Sequence, residues 1–148
     1  MQHFYPLYLA NKGHEGADDA LEVVNKYNQE TVAEVARADS ELLEQAIQKG
    51  LEAVPAMQAL RPYQKQRILL DCVAKFTERF DEFTEALIAE GGKPEAAAKA
   101  EVKRLIATFQ FAADAVTTVP EGEVLPLDAT EASAGYRGFS KRVPIGLC

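Results

Sequence analysis

The chain is predicted to be an α+β protein with short N-terminal strands and a hairpin, three amphipathic helices and a C-terminal β-hairpin. Three observations carry this. Residues 5–36 hold short aromatic and β-branched runs separated by polar turns, which is strand patterning. Residues 40–116 repeat apolar side chains at helical spacing, as amphipathic helices do. From residue 123 onward short extended runs return, broken by proline and small polar residues.

Tyr5 to Ala10 has the composition of one short strand, and Asn11-Lys12-Gly13-His14-Glu15-Gly16 reads as turn. Leu21 to Val24 and Thr31 to Ala36 are expected to be hairpin arms around the polar loop Asn25 to Glu30. Asp39 or Ser40 can cap the next element, because either side chain accepts a hydrogen bond from the unpaired N–H groups of a first helical turn. Leu42, Leu43, Ala46, Ile47, Leu51 and Val54 then form one apolar face, and Pro55 is expected to break or bend that helix.

A long second helix is expected from Pro62 to Glu90. Ile68, Leu69, Cys72, Val73, Phe76, Phe80, Phe83, Leu87 and Ile88 fall on one stripe, with charged residues elsewhere. Gly91-Gly92 suits a helix end, where glycine adopts the left-handed conformation without penalty. Pro94 suits the first turn of a third helix, whose apolar face is Val102, Leu105, Ile106, Phe109, Ala113 and Val116. After Pro120-Glu121-Gly122, a strand at Val124 to Leu127 and a longer one at Tyr136 to Leu147 are expected to pair, with Asp128 to Gly135 as a mobile loop between them. The division is residues 1–122, strands and helical layer, and residues 123–148, hairpin.

Composition excludes some functions. A net charge of −7 and a pI near 4.9 leave no electrostatic basis for nucleic-acid binding, and Glu95 and Glu101 interrupt the basic group Lys99, Lys103, Arg104. No run is long enough to span a membrane, and Phe4 to Ala10 lacks the basic flank of a secretion signal. Cys72 and Cys148 imply neither a disulfide framework nor a metal spacing, so a reducing cytoplasm is expected.

Chemistry is sparse. Cys72 lies on the apolar stripe between Leu69 and Phe76 and is read as core packing; Cys148 is read as a strand residue rather than a nucleophile. His3 and His14 are too few for a metal site, and His14, Glu15, Asp18 and Asp19 match no calcium loop. Glu78, Asp81, Glu82 and Glu85 face water by periodicity, without the contrasting environments that paired acid–base work needs. Gly91-Gly92-Lys93-Pro94 precedes a helix but follows no strand and matches no dinucleotide or P-loop pattern; it reads as a helix cap with an exposed lysine. Catalytic, cofactor-binding and metal residues are therefore all assigned as none.

An ordered series of short motifs adds a resemblance: Glu22-Val23-Val24-Asn25, Glu30-Thr31-Val32-Ala33-Glu34-Val35, Gln66-Arg67-Ile68-Leu69, Glu90-Gly91-Gly92-Lys93-Pro94, Glu101-Val102 and Arg142-Val143-Pro144-Ile145-Gly146. In this order and spacing the chain, from Tyr5 onward, resembles the first quarter to third of an NAD(P)-dependent aldehyde dehydrogenase. Glu123 to Thr130, with Gly138-Phe139, is similar to the lactaldehyde and glycolaldehyde branch. Lys26 stands where the family usually has proline, and Gly91 where it has Ser or Thr; both fall in structural joints.

The resemblance implies that residues 1–122 belong to the outer layer of the family's α/β nucleotide-binding domain, and residues 123–148 to its oligomerisation arm. It also implies that the family's catalytic Cys, general-base Glu, oxyanion-stabilising Asn and dinucleotide contacts lie beyond Cys148. The expected reading is an N-terminal portion of the enzyme, inactive alone and binding no cofactor alone, although NAD or NADP serves the whole family. Its partners would be a second copy or the remaining C-terminal part. The alternative is a stand-alone helical interaction module without catalytic activity. A reading frame continuing past Cys148 would separate the two.

Overall fold

The computed structural model describes residues 4–16, 19–118 and 122–148. His3 and Asp18, weighed above as cation ligands, and Pro120 and Glu121, at the expected change of pattern, lie outside the described residues.

The strand expected over Tyr5 to Ala10 is two strands, β1 (Phe4–Tyr5) and β2 (Leu7–Leu9). Pro6 separates them, since it has no N–H to give a ladder. The stretch read as turn contains a third strand, β3 (Lys12–His14), antiparallel to β2. Ala10 and Asn11 link them with φ of 50° and 63°, the two left-handed positions of a tight hairpin turn. Ala-Asn is not the usual pair for that turn, which is why composition missed the second arm.

The expected hairpin is present as β4 (Leu21–Val24) and β5 (Thr31–Val35), antiparallel with a bulge between Val23 and Val24. Its loop is closed locally: the Asn25 side chain accepts from the Tyr27 N–H at 2.9 Å, and that of Asn28 from the Glu30 N–H at 3.1 Å, as short polar side chains do in turns. β1 joins β5 in parallel, giving the sheet order β1-β5-β4. Ala33 and Ala36 are buried beneath it.

Helix α1 (Ser40–Ala59) starts at Asp39, whose carboxylate accepts from the Leu42 N–H at 2.8 Å. Pro55 does not end it. The proline is exposed, so water can take the carbonyl it leaves unbonded one turn earlier.

The long second helix is two helices, α2 (Pro62–Glu78) and α3 (Phe80–Gly91), parted at Arg79 with φ −99° and ψ 23°. Main-chain bonds continue across the joint, from Arg79 N–H to the Lys75 carbonyl and from Phe83 N–H to the Arg79 carbonyl. The deviation is therefore a one-residue bend. It lets both halves of the stripe meet α4 (Glu95–Ala115), against which α2 and α3 each pack. Ala98, Val102 and Ala113 of α4 are fully enclosed there, and Thr84 of α3 is buried with its hydroxyl donating to the Phe80 carbonyl at 2.9 Å. Phe76 joins the three helices, its ring edge-on to Phe83 at 5.5 Å and to Phe109 at 4.8 Å between centroids. Gly92 caps α3 at φ 63°, its N–H donating to the Ile88 carbonyl at 3.0 Å. A Cβ on Gly92 would come within 2.9 Å of Lys26 Cβ, so the loop of the β4–β5 hairpin also requires glycine there. Pro94 is the residue before α4 rather than within its first turn.

Beyond α4, β6 (Val124–Pro126) pairs antiparallel with β7 (Arg137–Phe139). Between them, the stretch expected to be a mobile loop contains a 3-10 turn at Glu131–Ser133, where the Thr130 N–H bonds the Ser133 hydroxyl at 3.3 Å. The strand expected over Tyr136 to Leu147 stops at Phe139. The Ser140 N–H still donates to the Glu123 carbonyl at 2.8 Å, and residues 140–148 form no strand.

Candidate functional site

The structure keeps the potentially reactive side chains apart. Cys72 is half-buried in α2 and Cys148 is exposed at the far end of the chain. His14 lies half-buried on β3, beside exposed Glu15. Among the described residues no group of three His, Cys, Asp or Glu stands close enough to hold a metal ion, and no helix is long and apolar enough to cross a membrane.

Several concave surfaces occur among the described residues. The first lies between the N-terminal strands and α3, where Tyr5, Tyr8 and Phe83 meet Arg79, Glu82 and Glu90. Glu78, Asp81, Glu82 and Glu85 are exposed, as their periodicity indicates. Arg79 holds Glu82 with two charge-assisted bonds of 2.7 and 2.5 Å and lies 5.2 Å over the Phe83 ring. The hydrogen bond from Arg79 pulls the Glu82 carboxyl below the usual glutamate range, aided by the guanidinium charge. A carboxylate so held is a poor proton donor at neutral pH, and the lining of the cleft includes no Ser, Thr, Cys, Lys or His. Sequence periodicity put these residues in water, and they stay exposed; that Tyr5 and Tyr8, from two separate strands, line the same cleft is a tertiary fact.

The second concavity lies between α1 and the C-terminal segment and is almost wholly apolar, lined by Ala53, Val54, Met57, Pro144 and Leu147.

The joint Gly91-Gly92-Lys93-Pro94 is where a phosphate-binding helix start was weighed. Its residues do not fit a dinucleotide pyrophosphate. The Gly92 N–H is committed to closing α3, Lys93 is ion-paired to Glu101 rather than freely exposed, and the first turn of α4 carries Glu95, which repels an anion there. Glu95 accepts a 2.5 Å bond from Lys99, and this bond, with the ammonium charge, lowers its pKa while raising that of Lys99. As pH falls through the depressed Glu95 value, that surface pair is lost. Arg104, 3.5 Å from Glu101, completes a charge-balanced face in place of a basic patch.

The comparisons with known proteins agree with this geometry. The model of the aldehyde dehydrogenase family matches residues 14–148. A 3-sulfolactaldehyde dehydrogenase of Priestia megaterium is 29% identical over 143 residues, which make up 97% of this chain and 29% of the relative. A lactaldehyde dehydrogenase of Methanocaldococcus jannaschii is 28% identical over 127 residues, 86% of this chain and 26% of that one. Among solved structures, aldehyde dehydrogenase 21 from Physcomitrella patens, in complex with the reaction product succinate, superposes with a TM-score of 0.82 at 35% identity, covering 95% of this chain and 29% of that protein. Lactaldehyde dehydrogenase from Escherichia coli, at 23% identity, shares the fold with a TM-score of 0.79 over 88% of this chain and 27% of its own. The chain thus spans 29% of the length of the first of these relatives. With a family match over nearly all its length and the same arrangement of strands and helices, the chain belongs to the aldehyde dehydrogenase family.

Proposed function

We propose that this chain is the N-terminal portion of an NAD(P)-dependent aldehyde dehydrogenase of the cytoplasm, contributing structural and oligomerising surface and catalysing nothing alone. In this reading residues 1–122 form the outer layer of an incomplete nucleotide-binding domain and residues 123–148 its oligomerisation arm. One observation carries it. The chain exposes 11626 Å² of surface at 16.2 kDa, where a compact monomer of that mass exposes about 7,500 Å². Large apolar side chains lie on that surface: Leu43, Leu51 and Met57 on α1, Ile68 on α2 and Phe139 on the hairpin are all exposed. Surfaces of this kind are normally covered, either by further polypeptide of the same enzyme or by a second copy.

NAD or NADP supplies the hydride acceptor in the complete enzyme. The described residues here include neither a nucleophile beside a base nor a pyrophosphate cradle, so binding and chemistry are assigned to the rest of the family-length protein. The names of the relatives, lactaldehyde and 3-sulfolactaldehyde dehydrogenase, favour a small aldehyde as its substrate.

Two measurements test this. The purified chain, given NAD or NADP with lactaldehyde or glycolaldehyde, is expected to produce no reduced nicotinamide above the protein-free rate; turnover that survives repurification refutes the reading. In sedimentation velocity the chain is expected to self-associate as its concentration rises. A monomer at every concentration would count against the oligomerising role, because the exposed apolar area would then be stable in water.

A further inference from the structure

The cleft between the N-terminal strands and α3 has a volume of about 590 Å³, within the range of about 300–1,000 Å³ that small-molecule sites occupy. Three aromatic rings reach it from three elements: Tyr5 from β1, Tyr8 from β2 and Phe83 from α3. The strands fix where the tyrosines stand. Tyr5 is opposite Val35 in the β1–β5 ladder, and its carbonyl accepts from the Ala36 N–H at 3.0 Å. Tyr8 is opposite Gly13 in the β2–β3 hairpin and remains 78% exposed, so its ring is open to a ligand.

Arg79 indicates what chemistry the cleft accepts. Its guanidinium lies over the Phe83 ring while Glu82 grips it from the side, which occupies one ring and neutralises one carboxylate. Glu85 and Glu90, which line the same cleft, enter no ion pair among the described residues. Two tyrosine rings and two carboxylates are thus left in one concavity. Aromatic faces attract a cation through their quadrupole, and the carboxylates add Coulombic attraction. The same groups repel an anion.

We propose that this cleft is a binding site for a small organic ammonium cation, with the alkylated nitrogen against Tyr5 and Tyr8 and its charge facing Glu85 and Glu90. The rings and carboxylates are exposed, so the affinity is in the millimolar range and falls as salt screens the carboxylates.

NMR titration of the whole chain with tetramethylammonium chloride tests this, with sodium chloride at the same ionic strength as the baseline. The Tyr5 and Tyr8 ring protons are expected to shift and saturate. The neutral analogue tert-butanol should leave them in place at the same concentrations. Tyr8→Leu, and separately the pair Glu85→Gln and Glu90→Gln, should each weaken binding about two- to fivefold. Glu44→Gln with Glu52→Gln removes the same charge from α1, outside the cleft, and should leave the affinity unchanged. Unmoved Ala98 and Val102 methyl shifts in each variant would show that the helical packing is retained. Shifts that never saturate, equal shifts with tert-butanol, or an affinity unaltered in the Tyr8→Leu or Glu85/Glu90 chains would overturn the proposal.

Discussion

A Val102→Asp chain is expected to lose its cooperative thermal transition. Val102 is 1% exposed on α4, the helix against which both α2 and α3 pack. A carboxylate there would be enclosed in an interface whose other buried α4 side chains are Ala98 and Ala113. It must either stay charged, at an effective cost of several kcal/mol after relaxation, or take up a proton and remain a polar group without a partner. Ordinary domains hold about 5–15 kcal/mol in total. This chain has little reserve, since the buried apolar side chains among the described residues are Ala33, Ala36, Ala98, Val102 and Ala113. Circular dichroism against temperature is the measurement, with exposed Lys103→Asp as the control that adds a carboxylate one residue away. If Val102→Asp melts together with the control, the interface among α2, α3 and α4 is not the one described.

Phe76→Ala is expected to cost about 3 kcal/mol in urea unfolding. The ring is half-buried, which places the loss at the lower end for a truncated aromatic. It makes edge-on contacts with Phe83 and Phe109 at 5.5 and 4.8 Å, each contributing about 0.5–1.5 kcal/mol beyond area burial. Phe76 therefore couples α2 to both α3 and α4. A double-mutant cycle with Phe109→Ala should return a coupling of about 1 kcal/mol. Strict additivity would mean that the rings do not meet in solution, and an unchanged midpoint for Phe76→Ala would refute its place in the core.

Local chemistry made several features legible. Asp39 caps α1 as its position before the apolar repeat suggests, and Gly92 ends α3 in the left-handed conformation. The β4–β5 hairpin falls within a residue of its expected bounds. Each depends on residues a few positions apart, where side-chain type and backbone preference act directly. The errors share the opposite character. Lys12–His14 became a strand because β2 lies beside it, whereas β7 stops at Phe139, the partner of Val124 at the start of β6. The stripe from Ile68 to Ile88 read as one helix, since the 3.6-residue period continues through Arg79. The break at Arg79, with φ −99° and ψ 23°, leaves two helices that each pack on α4.

The same division applies to function. The ordered motifs from Glu22 to Gly146 are properties of the sequence, and they point to the aldehyde dehydrogenase family that the family match bears out. Tertiary structure decided what these residues face. It bound Lys93 to Glu101, brought Tyr5 and Tyr8 to the cleft that Arg79 and Glu82 line, seated Leu147 against Gly50, and left far more surface open than a compact monomer of this mass exposes. Residue type and spacing encode local conformation and chemical capacity. Burial, pairing and enclosure depend on segments distant in sequence, and they exist only once the chain has folded against itself.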